Sequence, residues 1–243
     1  MIKGVVLAGG LGSRLRPLTN VTNKHLLPVY DRPMIYYPIE TLHRAGIREI
    51  MLVTGGNSAG DFLRLLGNGA QLGLDALYYA HQDGERGIAD ALALCEHFAA
   101  GERIVVILGD NILQADISPY VANFEAQASG ARILLKEVDD AQRFGVPVFN
   151  GERIEAIEEK PAVPKSRYAV VGLYMFDRRV FDFIRPLTPS QRGELEIVDV
   201  HNRYIRENEL RYDVLEGAWS DAGTFESLFR ANELVARSKG IAF

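Results

Sequence analysis

Ile2-Lys3-Gly4-Val5-Val6-Leu7-Ala8-Gly9-Gly10-Leu11-Gly12-Ser13-Arg14-Leu15-Arg16-Pro17-Leu18 is the stretch that decides how the rest of the chain is read. Val5 to Ala8 are four consecutive apolar residues, the mark of a strand buried on both faces. Glycines follow at once. Open α/β sheets bind ligands at loops leaving the carboxyl ends of their strands. Without a Cβ in the way, backbone N–H groups there can converge on an anion. The dinucleotide fingerprint fits poorly, since Leu15 stands where its third glycine belongs, and no Gly-Lys-Ser/Thr follows to make a Walker loop. What remains is a phosphate-cradling turn followed by Arg14 and Lys24, two cations that suit the charge of a triphosphate. A tight turn with solvated arginines fits this segment, taken alone, equally well.

Outward from this strand, short apolar runs alternate with helical patterns. Helices are expected over 33–45, opened by a proline and closed by Gly46, and over 58–66, with Ser58 and Asp61 spaced as a capping box. Another is expected over 88–98, with strands over 49–53, 74–80 and 104–108. Repeated strand-helix-strand units imply a parallel sheet with right-handed crossovers and helices on both faces. After about Gly130 the pattern turns strand-rich, with strands expected over 131–138, 145–149, 153–158, 168–176 and 210–215. Helices are expected there over 178–184, 196–207 and 224–238. No low-complexity linker or internal repeat divides the chain.

The chain has 243 residues, 47% hydrophobic and 24% charged, with a net charge of −5. That is an ordinary globular balance. No apolar run approaches the roughly 20 residues that span a bilayer, so no membrane partner is expected. The apolar start is too short for a secretory signal and runs into glycines and arginines, so a cytoplasmic location is expected. Cys95 is the single cysteine and cannot close an internal disulfide; within Ala91-Leu92-Ala93-Leu94-Cys95 it reads as a core residue. No block of like charge offers a face for nucleic acid. His25, His43, His81, His97 and His201 show no metal-ligand spacing.

Leu7 to Thr19 followed by Asn23-Lys24-His25-Leu26-Leu27-Pro28-Val29 resembles the signature of the sugar nucleotidylyltransferases, most nearly their short thymidylyltransferases. Further matches occur in the family's order: Leu108-Gly109-Asp110-Asn111-Ile112, Arg143-Phe144-Gly145-Val146, Glu158-Glu159-Lys160-Pro161, Tyr168-Ala169-Val170, Gly193-Glu194-Leu195-Glu196-Ile197 and Trp219-Ser220-Asp221-Ala222-Gly223-Thr224. The resemblance implies one Rossmann-like α/β nucleotidyltransferase domain over 1–243, with a mostly parallel central sheet. A nucleotide-binding half (1–130) would precede a strand-rich sugar-phosphate half (131–243). Longer members carry a further C-terminal helical region, which a sequence ending at Phe243 is expected to do without.

The same resemblance implies Mg²⁺-dependent transfer of a nucleotidyl group from dTTP, or UTP, to a hexose 1-phosphate such as glucose 1-phosphate. Asp110 and Asp221 would hold the ion; two carboxylates suffice when phosphate oxygens and water complete its shell. An Asx turn with Asn111 and a helix N-cap are the plain structural alternatives for these two aspartates. A phosphate monoester is mostly dianionic at neutral pH, its second pKa being about 6, so the nucleophile needs no general base. Arg14 and Lys24 would act on the triphosphate, and Lys160 and Arg192 on the sugar phosphate. The family's nucleotide contacts fall on Leu7, Gly9, Gly10, Gly12, Ser13, Arg14, Gln82 and Gly87, with Gln82 on the pyrimidine edge. Its sugar-phosphate contacts fall on Asp110, Gly145, Glu159, Lys160, Val170 and Arg192. A homo-oligomer is expected. The competing readings are a uridylyltransferase, an enzyme for another hexose, and a silent module that only binds nucleotide sugar. The chain departs from the family pattern at Asp90, where glutamine is usual, at Phe144 for tyrosine, and at Val171 for threonine. Pro147 would restrict its strand to an edge or a bulge.

Overall fold

In the computed structural model, which describes residues 1–241, the first strand, β1 (Ile2–Ala8), lies inside the sheet between two parallel neighbours. The chain continues through β2 (Pro28–Val29), β3 (Arg32–Pro33), α1 (Tyr36–Arg44), β4 (Glu49–Gly55), α2 (Ala59–Leu66), β5 (Ala76–Gln82), α3 (Ile88–Ala93), α4 (Glu96–Ala99), β6 (Arg103–Leu108), β7 (Asn111–Leu113) and α5 (Ser118–Ala126). It then runs through β8 (Ala131–Glu137), β9 (Gly145–Asn150), β10 (Arg153–Glu159), β11 (Tyr168–Phe176), α6 (Val180–Ile184), α7 (Ile197–Arg206), β12 (Leu210–Val214), β13 (Trp219–Asp221) and α8 (Phe225–Ser238).

Seven strands form one sheet in the order β12-β8-β11-β6-β1-β4-β5, parallel except at β11, which runs against both neighbours. The mostly parallel α/β sheet read from the sequence is therefore present. It does not stop near residue 130, since β8, β11 and β12 extend it. Alternate side chains of β1 feed two cores: Val5 and Leu7 pack with α3, α6 and α7 on one face. Val6 and Ala8 pack with α1, α2 and α5 on the other. β9 and β10 make a separate antiparallel ribbon, and Pro147 sits in it where both strands are edges. Among the described residues, no helix is long and apolar enough to cross a membrane.

Several local expectations need correction. The first helix starts at Tyr36; Pro33 belongs to the small β2–β3 pair instead. Ser58 makes no capping hydrogen bond, because a 3₁₀ turn over Gly56–Ser58 precedes the helix and Asp61 pairs with Arg64. The helix expected over 88–98 is broken into α3 and α4 at Leu94 and Cys95. The strand expected to end at Ala80 runs to Gln82, so Gln82 closes a strand and is not a loop residue.

Candidate active site

β1, β6 and β11 bring three sets of side chains to one edge of the sheet. Beyond β1, the glycine loop ends in a 3₁₀ turn over Ser13–Leu15 that buries Leu15 completely and leaves Arg14 exposed. Asn23 ties the next segment down: its Oδ1 accepts from the His25 backbone N–H at 2.9 Å and lies 2.7 Å from His25 Nδ1. That oxygen can only accept, so the imidazole proton sits on Nδ1. Burial, assisted by Lys24, pushes the His25 pKa down to about 3, so the ring stays neutral.

Lys24 reaches Asp110, beyond the end of β6, with its Nζ 2.5 Å from Oδ2. Asn111 Nδ2 donates to the other oxygen at 2.9 Å, while Asn111 Oδ1 accepts from the Gly172 N–H and Trp219 Nε1. Asp110 is thus clamped from both sides. Burial opposes its ionisation, but Lys24 and these hydrogen bonds outweigh it and hold the carboxyl well below the usual range. Asp221 behaves oppositely. Burial raises its pKa, the nearby Asp110 charge adds to the rise, and Arg143 at 2.8 Å pulls the other way.

Gly223 lies between the two. A Cβ there would stand 3.5 Å from Arg14 Nη2, 3.6 Å from Asp221 Oδ2 and 3.7 Å from Asp110 Oδ2. Two carboxylate oxygens therefore converge on a space that a bare backbone leaves open. A carboxyl that resists ionising beside another carboxylate is what a bound divalent cation relieves, so the donor set fits one. The structural alternatives for the aspartates are not what the chain adopts. Asp110 accepts from the Asn111 side chain, and the cap of α8 is Thr224, which forms a capping box with Ser227. Among the described residues, no cluster of three or more His, Cys, Asp or Glu is placed to hold a metal.

Two cavities meet here. One, of about 410 Å³, is lined by Leu7, Gly9, Gly10, Ser13, Lys24, Gln82 and Gly87. The other, of about 200 Å³, is lined by Gly145, Glu159, Val170, Arg192 and Asp221. Arg14, Asp110 and Lys160 line both. Gly12, expected with the nucleotide set, lines neither and lies within the turn. In the smaller cavity every cation except Arg14 is already paired. Arg192 contacts Glu196 at 2.8 Å, Glu194 at 3.2 Å and Glu159 at 3.5 Å, and Lys160 lies 3.2 Å from Glu159. The two cavities are joined through backbone: Leu195 N–H donates to the Arg86 carbonyl at 2.7 Å, and Ala89 N–H to the Leu195 carbonyl at 3.2 Å.

Several lining residues had no role assigned from the sequence, Arg143, Trp219, Glu196, Tyr174 and His201 among them. Arg143, Trp219 and Glu196 lie inside motif stretches quoted above, so the signal existed. Tyr174, within the strand expected over 168–176, lines the smaller cavity, its hydroxyl pKa raised by burial and by Glu159 and Asp110. His201 is fully buried beside Tyr174 and Phe176, and neither ring nitrogen has a partner. Cys95 is buried, as expected, and its thiol is pushed up to about 12 by that burial.

The sequence profile of the nucleotidyl transferase family matches residues 3–238. A glucose-1-phosphate thymidylyltransferase of Neisseria meningitidis is 42% identical over 99% of this chain and 84% of its own length. Another, from an Actinoplanes species, is 44% identical over 96% of this chain and 78% of its own. A crystal structure of a candidate glucose-1-phosphate thymidylyltransferase from Bacillus anthracis, in complex with a sucrose, superposes with a TM-score of 0.93 at 50% identity. It covers 100% of this chain and 97% of that one. A UDP-glucose pyrophosphorylase bound to UDP-glucose shares the fold at a TM-score of 0.85 and 22% identity.

Proposed function

The chain belongs to the nucleotidyl transferase family, and we propose that it transfers a thymidylyl group from dTTP to α-D-glucose 1-phosphate, releasing pyrophosphate and forming dTDP-glucose. One observation carries the reading: a larger and a smaller cavity share Arg14, Asp110 and Lys160 at their junction. A phosphate oxygen from one side can there face a phosphorus from the other. The nucleophile is already ionised, so the protein's task is alignment and neutralisation of two anions. Arg14 holds the leaving phosphates, and Lys24 stands beside Asp110 on the α-phosphate or pyrophosphate side. Lys160 and Arg192 hold the sugar phosphate, with Glu159, the Gly145 backbone and Val170 against the hexose. Leu7, Gly9, Gly10, Ser13, Gln82 and Gly87 surround the nucleotide, and Gly12 caps the turn that presents Ser13 and Arg14. Asp110 and Asp221 would hold Mg²⁺, whose charge would neutralise phosphate oxygens there.

We read 1–243 as one domain, its nucleotide half ending near residue 130, and the enzyme as a cytoplasmic homo-oligomer. Exposed Phe225 and Phe229, one turn apart on α8, support the oligomer; light scattering tests it. UTP is the nearest competitor, since one methyl is worth only about 1–3 kcal/mol. The test is pyrophosphate release from four triphosphates against several hexose 1-phosphates, with and without Mg²⁺. Release with dTTP and glucose 1-phosphate is expected. No release with any pair would reject the enzyme in favour of a binding module.

A further inference from the structure

Asp90, in the first turn of α3, is the family departure that ought to harm an anion site. Its carboxylate does not reach into the cavity unpaired. Oδ2 accepts from Gln82 Nε2 at 2.8 Å, and the Gly87 carbonyl accepts from the same nitrogen at 3.0 Å. An amide nitrogen carries two hydrogens, and these two acceptors take both. The reverse orientation would set the amide oxygen against a carboxylate and a carbonyl, with no hydrogen between them. The amide is therefore fixed one way round by chemistry.

Its oxygen is left for the ligand. Gln82 is 95% buried, 5% exposed, at the end of β5 on the wall of the larger cavity. No donor reaches Oε1 among the described residues. A Cβ on Gly9 would stand 2.7 Å from that oxygen, so glycine keeps the approach open. An acceptor on the cavity wall with no protein donor selects a ligand that brings one.

We propose that Asp90 is a positioning residue for base recognition: it locks Gln82 as an obligate acceptor, so the pocket takes pyrimidines bearing an N3–H and rejects cytosine. Thymine and uracil carry a hydrogen at N3, while cytosine carries a lone pair that would face Oε1. This rests on the larger cavity being the nucleotide site. The lock is indifferent to the thymine methyl, so it separates UTP and dTTP from CTP and not from each other.

Calorimetric binding to the intact protein tests it without turnover. UTP and dTTP should bind within about tenfold of each other and CTP at least about a hundredfold more weakly. Asp90→Ala should shrink the CTP penalty by about tenfold and leave inorganic pyrophosphate binding unchanged. Asp90→Asn should keep the wild-type ranking, because its Oδ1 still accepts. Equal binding of CTP and UTP, an unchanged ratio in Asp90→Ala, or a lost ratio in Asp90→Asn would overturn the proposal. If Asp90→Ala does not fold, the Gln82 side-chain amide protons of the wild type decide, since both should exchange slowly and fast exchange rejects the lock. Correct ranking without pyrophosphate release would sink the proposed activity and leave this inference standing. Failure to bind any triphosphate would sink both.

Discussion

The two cavities that meet at Asp110 hold similar residues in different electrical states. Arg14, which lines both, makes no ion pair among the described residues, and Lys24 on the larger side makes one, with Asp110. On the smaller side Arg192 contacts three carboxylates, Arg143 contacts two, and Lys160 contacts Glu159. An unpaired cation offers its whole charge to an incoming phosphate. A paired one has its position fixed in advance and offers less net attraction. The contrast is therefore between Arg14, free to meet an anion, and Arg192 and Arg143, held in place by carboxylates.

Mutations can break this contrast. Asp110 belongs to both cavities, so Asp110→Asn should cost the most. A turnover loss of about a thousandfold or more is expected from removing a preorganised charge at the reacting phosphorus. The melting temperature should fall as well, because ionised Asp110 stabilises the folded chain and Lys24 loses its partner. A folded fraction is therefore checked by circular dichroism before turnover is read. Near-normal turnover in a folded variant would remove Asp110 from the chemistry. Arg14→Ala should come next, about a hundredfold in kcat/KM for the triphosphate. Arg192→Ala should raise the KM for the sugar phosphate by only about tenfold, because three glutamates already share its charge. Steady-state kinetics with each substrate varied measures both, and equal losses in the two variants would erase the distinction.

Asp221 sharpens it on the stability side. Its folded pKa lies above its unfolded one, so what it contributes to stability is present at low pH and lost as pH rises through the folded value. At neutral pH without metal, Asp221→Asn should therefore melt no lower than the parent, and by a small margin higher, while turnover falls. A clear drop in melting temperature would show that the Arg143 pair outweighs the burial of the charge. The histidines act with the opposite sign. His25 and His201 are lowered by burial from 6.5 to about 3. Below pH 6.5 the unfolded chain binds protons that the folded chain refuses. Stability should then fall by about 1.4 kcal/mol per pH unit for each, down to about pH 3. Urea melts across that window measure the slope. His201→Phe should halve it at little cost near neutral pH, because both ring nitrogens lack partners.

The sequence made the larger cavity easier to read than the smaller. β1, its glycine loop, Arg14 and Lys24 are close in the chain, and apolar runs mark β4 and β6 on either side of them. The loop's neighbours Gln82 and Gly87 lie at the end of β5 and just beyond it. The smaller cavity depends on pairings that spacing cannot reveal. Arg143 meets Asp221 across 78 positions, and Arg192 meets Glu159 across 33. β7 and β13 are three residues each and exist by pairing with one another, so neither has a pattern of its own. α5 was passed over although Ser118-Pro119 opens it, because only Val121 and Phe124 of its residues are buried and the periodic signal is faint. Ser58 carried the right spacing for a cap and does not cap, since the preceding glycines curl the chain into a tighter turn first.

The backbone stitch from Arg86 to Leu195 and back to Ala89 makes the loop beneath the base and the loop carrying Arg192 a single short piece of ribbon. If the two reactants bind as proposed, the first to arrive would still that ribbon for both. The second would surrender less freedom, and each should bind more tightly in the other's presence.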